Sequence, residues 1–333
     1  MVAAAGEFGE WWRGRAWRAR GADVTTERAP GALAGAAGYL LASMSWGWNI
    51  PLTSGLLRQL DPFWIAPLRY AIAAVVLGIW LVATAGWRHL RTPVPRTRVI
   101  LLGLCVGAFL ILFNLGLLYS HPISVAAIIA GSPVYVAAIA HLMTGARLER
   151  GFLGACALTV VGAGIAIYGR TVTSGHGLDL RGGEIFTFLA IGCWTVYSIQ
   201  AQRWFPPAVS QLRRTYLTTI WAIPALLVFW VLARLTGLAG PPNLSPTPAA
   251  WRDLLITAVL CTGIATVAWN TGVARLGIGA GAMWQNMVPV FAVLISLLFY
   301  DVVPLVEQVI GGALVLSGVL YMQWRKLRAA QGE

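Results

Sequence analysis

Amide and aromatic side chains recur inside runs of sequence that are otherwise apolar. The run from Gly31 to Leu57 contains SWGWNIP, which places two indoles, an amide and a proline in its middle. Burying an amide without a partner in a hydrocarbon-like environment costs several kcal/mol. Such side chains must therefore face other helices, water or a bound molecule. They predict the wall of a cavity that binds a small neutral or zwitterionic molecule.

The expected substrate-binding residues are the indoles, phenols and amides that these runs would have to bury. They are Trp46, Trp48, Asn49, Asn114, Tyr135, Trp194, Tyr197, Trp269, Asn270, Trp284 and Gln285. For Asn114 and Asn270, hydrogen bonding between helices is an equally supported alternative role. For Gln285, the alternative role is to donate hydrogen bonds to backbone carbonyls that Pro289 leaves without a partner. Indole faces attract an ammonium group by about 0.5–2 kcal/mol, so amino acids, aromatic ones included, suit this set.

Three titratable side chains have open roles. Arg69 is the only cation inside an apolar run; it either binds a substrate carboxylate or is structural, with Asp61 or a helix carbonyl as its partner. His141 and Glu307, near the ends of runs, are the candidates for proton coupling. No acid lies in the middle of a run, which disfavours a proton-coupled multidrug mechanism based on an intramembrane glutamate.

Catalytic and metal-binding motifs do not emerge from the sequence. The chain has four histidines without an HExxH motif, and its four cysteines lie inside apolar runs without paired spacing. Ser132 and His141 would lie on roughly opposite faces of one helix, so a hydrolytic dyad is disfavoured. We expect no enzyme activity, no metal and no cofactor. An intramembrane enzyme is the alternative from a different functional class.

The composition requires a lipid bilayer as partner. Of the 333 residues, 58% are hydrophobic and 11% are charged, whereas soluble domains carry about 25% charged residues. Apolar runs close to the ~20 residues that cross a bilayer predict ten spans. They are 31–57, 62–86, 98–119, 123–143, 151–169, 183–204, 212–235, 251–273, 279–300 and 304–324.

Lysine and arginine are divided unequally between alternate loops. Of 24 such residues, 18 fall on the side of the termini, five on the opposite side, and Arg69 lies within a span. The positive-inside rule therefore predicts a bacterial cell-membrane protein with both termini in the cytoplasm. The net charge of +12 reflects this topology and not nucleic-acid binding. The remaining expected partner is a small-molecule substrate, and the expected state is a monomer.

The two halves of the chain repeat an ordered pattern. Trp46 in SWGW and Trp194 in CWTV align at an offset of 148 residues, and FNLG, from Phe113, aligns with WNTG, from Trp269, at an offset of 156. Each copy contains five spans, so the second must insert upside down. Inverted repeats of this kind place a substrate site near the midplane, between the copies.

The predicted fold is therefore all-α, with ten transmembrane helices in two inverted five-helix repeats. The repeats are 31–170 and 183–324, joined by a linker at 171–182. Residues 1–30 form a basic and aromatic cytoplasmic arm that lacks the apolar core of a signal peptide. Residues 325–333 form a cytoplasmic tail.

The sequence resembles the drug/metabolite transporter superfamily, specifically its ten-helix EamA-type branch. The resemblance rests on SWGWNIP in the first span, DPFWIAPLRY at the start of the second, and proline in the fourth and ninth. The runs 145–169 and 301–321 extend it. One departure is Gly145-Ala146-Arg147, where the family often has a Gly-Glu-Arg triplet.

Within this branch, AWN at 268–270 and the tryptophan-rich first and sixth spans are most similar to aromatic amino-acid exporters of the YddG kind. The resemblance implies export of amino acids and related small metabolites by alternating access through a central cavity. A multidrug or organic-cation exporter of the same superfamily is the alternative.

Overall fold

The computed structural model describes residues 29–120, 122–145, 151–174, 181–301 and 303–330. Within these ranges every regular element is a helix. Most of the predicted N-terminal arm and the central part of the predicted linker lie outside the described residues, so those two predictions remain predictions.

Seven continuous helices come first. They are α1 (Ala29–Leu56), α2 (Pro62–Ala85), α3 (Arg96–Tyr119), α4 (Pro122–Thr144), α5 (Phe152–Ser174), α6 (Glu184–Trp204) and α7 (Gln211–Leu235). A short 3-10 helix at Trp87–Leu90 follows α2. The remaining segments are Pro248–Ile256, a π-helix at Thr257–Ile264, Ala265–Gln285, Met287–Tyr300 and Val306–Ala330.

Gly277 divides these last segments into three spans. Its φ of 77° and ψ of 160° are accessible without strain to glycine alone, so the chain turns there. We call the segments from Pro248 to this turn α8, those from the turn to Tyr300 α9, and Val306–Ala330 α10. The predicted break between the eighth and ninth spans contains Gly277, and the ten predicted spans match the ten helices.

Local sequence explains where several helices begin. The side chain of Asp61 accepts hydrogen bonds from backbone N–H groups of the first turn of α2, and Ser210 and Thr247 do the same for α7 and α8. Pro62 and Pro248 occupy the first position of their helices, where no N–H donor is needed. These N-caps satisfy donors that lipid would leave without partners.

Six helical stretches of the described chain combine the length and hydropathy of a membrane span. They are Pro62–Ala85, Arg96–Tyr119, Ser124–Thr144, Phe152–Gly169, Gln211–Leu235 and Pro248–Gln285. Helices α1 and α6 are not in this set, because indoles, hydroxyls and amides replace aliphatic side chains along them. Several of their polar side chains, among them Ser43, Trp46 and Tyr197, contact other helices instead of lipid.

Glycine contacts establish that the two halves are copies of one fold. A Cβ added to Gly272 would lie 2.5 Å from the ring of Tyr39, and one added to Gly116 would lie 2.4 Å from Thr187 Oγ1. Gly116 and Gly272 are related by the offset of 156, and Tyr39 and Thr187 by the offset of 148. The same close approach therefore occurs twice between the halves, once between α1 and α8 and once between α3 and α6.

The copies are inverted with respect to each other. Leu115, near the end of α3, shares a hydrophobic cluster with Phe63 at the start of α2, which directly follows the end of α1. Gly183, just before α6, packs against Tyr119 at that same end of α3. Helix α1 therefore ends at the end of the bundle where α6, its equivalent, begins. This inversion is what the predicted five spans per copy require.

The two ends of the helix bundle differ in charge. All carboxylates of the described residues lie at the end where α1 finishes, which we call the acidic end: Asp61, Glu184, Asp253, Asp301 and Glu307. Ten described arginine side chains lie at the opposite, basic end. They are Arg88, Arg91, Arg96, Arg98, Arg203, Arg213, Arg214, Arg275, Arg325 and Arg328.

Two contacts join equivalent positions of the copies and therefore lie on their pseudo-two-fold axis. The rings of Trp46 and Trp194 meet edge to face, with centroids 5.8 Å apart. Asn286 Nδ2 donates a hydrogen bond of 3.1 Å to the carbonyl oxygen of Ala130, the residue 156 positions earlier. The axis therefore passes between α1 and α6 and between α4 and α9.

Helices α5 and α10 form the closest interface, with backbone against backbone. A Cβ on Gly162 would lie 2.5 Å from the carbonyl oxygen of Gly311, and one on Gly318 would lie 2.9 Å from that of Ala155. By contrast, a Cβ on Gly164 would meet nothing within 4 Å. Small residues at such positions let membrane helices approach closely, and dispersion contacts then hold them together.

We expect Gly162→Ala to destabilise the protein by about 1–3 kcal/mol, because the added methyl group forces α5 and α10 apart. Gly164→Ala is the matched control: it lies on the same helix, gains the same helix propensity and has open space. Thermal unfolding in detergent should show a lower Tm for Gly162→Ala alone. Equal Tm values for the two variants would contradict the backbone contact.

Candidate functional site

Three indoles meet at the pseudo-two-fold axis. The ring of Trp269 on α8 lies 5.2 Å from that of Trp46 and 5.9 Å from that of Trp194, between centroids. Tyr39 contacts the opposite side of Trp269 at 5.1 Å, and Tyr197 contacts Trp194 at 5.2 Å. Helices from both copies thus supply one aromatic cluster, and both tryptophans predicted to be equivalent are in it.

The indole N–H groups of this cluster differ in their partners. Trp46 Nε1 donates to the carbonyl oxygen of Cys261 at 3.0 Å, within the π-helix, and Trp269 Nε1 donates to Ser198 Oγ at 3.0 Å. The Nε1 atoms of Trp194 and Trp284 are buried and have no hydrogen-bond partner among the described residues. A buried N–H without an acceptor is costly, so Trp194 offers a donor to a bound molecule.

A narrow cavity adjoins Trp194. Its wall includes Phe109, Ile191, Trp194, Thr195, Trp269 and Gln285. The volume open to the centre of a water-sized sphere is about 10 Å³, which is room for about one water molecule. An amino acid enters such a site only when the surrounding helices separate.

A polar cluster closes the basic side of the site. Asn270 is fully buried, and its Nδ2 donates to Tyr197 Oη at 2.9 Å and to Thr215 Oγ1 at 3.0 Å. Tyr197 Oη and Thr218 Oγ1 are 3.3 Å apart, and Gln202 Nε2 donates to the backbone carbonyl of Asn270 at 3.3 Å. We call these five residues the basic-end polar cluster; it joins α6, α7 and α8.

Arg69 binds the π-helix of α8. Its Nη2 and Nε donate to Thr262 Oγ1 at 2.8 and 3.2 Å, and Nη2 lies 3.5 Å from the carbonyl oxygen of Thr257. The alternative partner, Asp61, instead accepts from backbone N–H groups of Phe63, Trp64 and Gly240. Arg69 Nη1 has no hydrogen bond to any described residue, and the side chain is partly exposed.

Two predicted amides lie toward the acidic end without contacts between helices. Asn49 is half-buried, and its Oδ1 accepts from Thr53 Oγ1, one turn along the same helix, at 3.2 Å. Asn114 is half-buried and makes no side-chain hydrogen bond to the described part of the chain. Both amides are therefore available to partners that the present arrangement does not supply.

Several predicted site residues lie apart from the aromatic cluster. Trp48 stacks on Phe299 of α9, with centroids 5.9 Å apart, and Tyr135 meets Phe188 edge to face at 5.9 Å. His141 is exposed in the last turn of α4 at the basic end. Glu307 lies in the first turn of α10 at the acidic end, against Gly169. Trp284, by contrast, lies at the edge of the cluster, with its ring centroid 6.5 Å from that of Tyr39.

Sequence reasoning missed the phenol and the hydroxyls that complete the site. Tyr39 lies two helical turns before Trp46, and this spacing of seven residues could have placed both on one face. Ser198, Thr215 and Thr218 carry no comparable signal, because hydroxyls in membrane helices usually bond to a carbonyl of the preceding turn. Thr218 does so as well, with Arg214 at 3.0 Å.

Comparison with known proteins gives a family match over most of the chain. Residues 33–168 and 181–324 each match the model of the EamA-like transporter family. The two matches correspond to the two inverted copies, and the interval between them, 169–180, overlaps most of the predicted linker at 171–182.

Curated relatives are transporters of similar length. YyaM of Bacillus subtilis, an uncharacterized transporter, is 25% identical, with 84% of this chain and 90% of YyaM covered. A probable terminal-alkyne amino-acid exporter of Streptantibioticus cattleyicolor is 25% identical over 86% and 93% of the two chains. The biotin transporter of Salmonella typhimurium is 26% identical over 88% and 94%.

A solved crystal structure has the same fold. It aligns with a TM-score of 0.70 over 91% of this chain and 99% of its own, at 18% sequence identity. At this identity the match concerns the fold alone.

The equivalent amides Asn270 and Asn114 provide a paired test of the polar cluster. Asn270→Ala removes two hydrogen bonds between helices, each worth about 0.6 kcal/mol in membrane proteins, so we expect a stability loss of about 1 kcal/mol. Asn114→Ala removes none and should leave the Tm in detergent unchanged. If the Tm falls equally for both variants, the difference in packing between the two copies is wrong.

Proposed function

Since the chain belongs to the EamA-like transporter family, we propose that it exports amino acids, aromatic ones included, and related small carboxylates. It does so by alternating access, with the substrate held at the aromatic cluster around Trp46, Trp194 and Trp269. It is a carrier and not an enzyme. The observation that carries the proposal is this cluster on the pseudo-two-fold axis, beside a buried indole N–H that has no acceptor.

Each part of an amino acid has a matching group at this site. An ammonium group is attracted to indole faces by about 0.5–2 kcal/mol, and an aromatic side chain packs edge to face against them. The carboxylate can accept from Trp194 Nε1. No described carboxylate lies near the cluster, so the substrate's own acid group meets no like charge.

The names of the relatives support a carboxylate-bearing substrate. One is described as an amino-acid exporter and another as a biotin transporter; amino acids and biotin each combine a carboxylate with a larger neutral or apolar part. The size of the cavity supports alternating access, because a site with room for about one water molecule must open before it loads.

Charge distribution supports the orientation. The described arginines at the basic end outnumber those at the acidic end, so the basic end faces the cytoplasm of a bacterial cell under the positive-inside rule. Transport from the basic to the acidic end is then export.

Export of an organic cation is the second candidate. The indole cluster favours it, since three ring faces around one site resemble the aromatic cages that hold quaternary ammonium groups. The cation Arg69, which is bonded to the π-helix next to the partner of Trp46, and the lack of carboxylates around the cluster in the described chain oppose it. A panel of labelled amino acids, biotin and a quaternary ammonium compound in proteoliposomes separates the two candidates. Flux of the quaternary ammonium compound alone would favour the second.

We expect Trp194→Phe to raise the KM for an aromatic amino acid by about 10- to 150-fold. The variant keeps an aromatic ring but removes the N–H donor to the carboxylate, and a hydrogen bond to a charged group contributes about 1.5–3 kcal/mol. Uptake of labelled phenylalanine and tryptophan into proteoliposomes measures the effect. Trp80→Phe, at an exposed position, is the control. Equal KM values for both variants would indicate that Trp194 contributes to packing and not to substrate binding.

Substrate flux should not be driven by an imposed pH gradient. The described carboxylates all lie at the acidic end, so no acid within the described spans relays protons across the midplane. Counterflow of labelled amino acid with and without a pH difference tests this expectation. Concentrative uptake driven by the gradient would instead direct attention to Glu307 and His141.

A further inference from the structure

The duplication assigns three members of the basic-end polar cluster, Tyr197, Asn270 and Thr218, a polar equivalent at the acidic end. The offset of 148 relates Tyr197 to Asn49, and the offset of 156 relates Asn270 to Asn114. Both offsets are supported by the matched glycine contacts of α1 with α8 and of α3 with α6. Two amides in one copy thus correspond to a phenol and an amide in the other.

Helices α2 and α7 are related by an offset of 149, which makes Arg69 the equivalent of Thr218. This offset superposes their N-caps, Asp61 and Ser210. It also superposes their buried faces, because six buried positions of α2 each correspond to a buried position of α7. The pairs are Ile65 with Arg214, Ala66 with Thr215, Pro67 with Tyr216, Tyr70 with Thr219, Ala73 with Ala222, and Leu77 with Leu226.

In the second copy the three residues Tyr197, Asn270 and Thr218 lie within hydrogen-bond distance of one another through the tyrosine hydroxyl. Tyr197 and Asn270 are fully buried, and Thr218 is 1% exposed. Tyr197 Oη is within hydrogen-bond distance of both Asn270 Nδ2, at 2.9 Å, and Thr218 Oγ1, at 3.3 Å. Helices α6 and α8 are consequently packed together toward the basic end.

The first copy leaves the equivalent residues apart. Asn49 is bonded within its own helix, Asn114 makes no side-chain hydrogen bond in the described chain, and Arg69 is bonded to α8. All three are partly buried. Helices α1 and α3, which are fully described and equivalent to α6 and α8, hardly touch.

We infer that Asn49, Arg69 and Asn114 form a gate at the acidic end, which closes when the basic-end polar cluster opens. In the structure the helices that carry this gate stand apart, whereas those of the basic-end polar cluster are joined. In the opposite conformation α3 approaches α1, as α8 now approaches α6, and the free Nη1 of Arg69 can donate to the amide oxygens of Asn49 and Asn114. The inference rests on the proposed alternating access, but not on the identity of the substrate.

The chemistry of the three side chains suits such a gate. Guanidinium N–H groups donate and amide oxygens accept, so closure replaces bonds to water with bonds across the helices. A hydrogen bond to a charged group is stronger than a neutral one, such as those of the basic-end polar cluster. The closed acidic gate therefore compensates for separating Tyr197 from Asn270.

Cross-linking with a reducible bifunctional thiol reagent in a background without native cysteines tests the gate, because long side chains can meet while their Cα atoms lie beyond the ~7 Å limit of a direct disulfide. Cys105, Cys156, Cys193 and Cys261 are replaced by alanine, and either Asn49→Cys with Asn114→Cys or Tyr197→Cys with Asn270→Cys is added to the full chain in liposomes. The second pair should cross-link rapidly. The first should cross-link slowly, as expected for a conformation populated at about 0.1–10%.

The decisive comparison uses all four cysteines together with two thiol reagents applied in sequence. Once the pair at 197 and 270 is cross-linked, formation of the cross-link at 49 and 114 should be lost, and reduction should restore it. Trp64→Cys with Trp230→Cys is the control, because these rings pack 4.7 Å apart between α2 and α7 and should cross-link in every state.

Full cross-linking at 49 and 114 while 197 and 270 are linked would overturn the inference, as would no cross-linking of that pair under any condition. A single Asn114→Cys variant gives a second readout that needs no trapping. It should react with a membrane-impermeant maleimide from the acidic side, whereas Asn270→Cys should not. Equal reactivity would also overturn the inference.

Failure of the gate is distinguishable from failure of the proposed function. Cross-linking and labelling need no substrate, so alternation without amino-acid flux would retain the gate and reject the substrate. Amino-acid flux without alternating cross-linking at these positions would retain the proposed function and reject the gate.

Discussion

The contact between Trp46 and Trp194 is the constraint on which the rest of the molecule depends, because it joins the same position of two inverted copies. A second such contact, from Asn286 to the carbonyl of Ala130, places α4 and α9 on the same axis. Any side chain that reaches this axis is surrounded by both copies. Polar groups that lipid would penalise by several kcal/mol therefore face protein there, and α1 and α6 can be less apolar than their neighbours.

Under the proposed alternating access, inverted copies of similar backbone adopt two arrangements of similar free energy, and the side chains decide between them. Packing of Asn270 against Tyr197 favours the arrangement that is closed at the basic end. Gly116 lets α3 approach α6, and its equivalent, Gly272, lets α8 approach α1 to a similar distance. A carrier needs these arrangements within a few kcal/mol of each other, since a substrate shifts the equilibrium only by its differential affinity.

Lipid makes the fold of such a chain more predictable than its site. Span length, loop charge and the repeated Trp, Asn-x-Gly and Pro positions predicted ten helices and the inversion, and Gly277 ends α8 within the predicted break. Trp48 was grouped with Trp46, but residues two positions apart lie on different helix faces, and it packs against Phe299. The π-helix at Thr257–Ile264, which supplies the partners of Trp46 and Arg69, depends on packing between helices and has no pattern in the sequence.

The charge of the interior determines which substrates the carrier tolerates. A cation at the centre of a membrane helix costs about 2.5–3.5 kcal/mol, and for Arg69 a hydroxyl and a carbonyl of α8 reduce that cost without neutralising the charge. No described carboxylate pairs with it, because Asp61 is occupied as the N-cap of α2. An amino acid brings a carboxylate that reduces this uncompensated charge and an ammonium that the indoles attract. A purely cationic substrate would meet the indoles but also the like charge of Arg69, so the same residue that completes the gate disfavours organic cations.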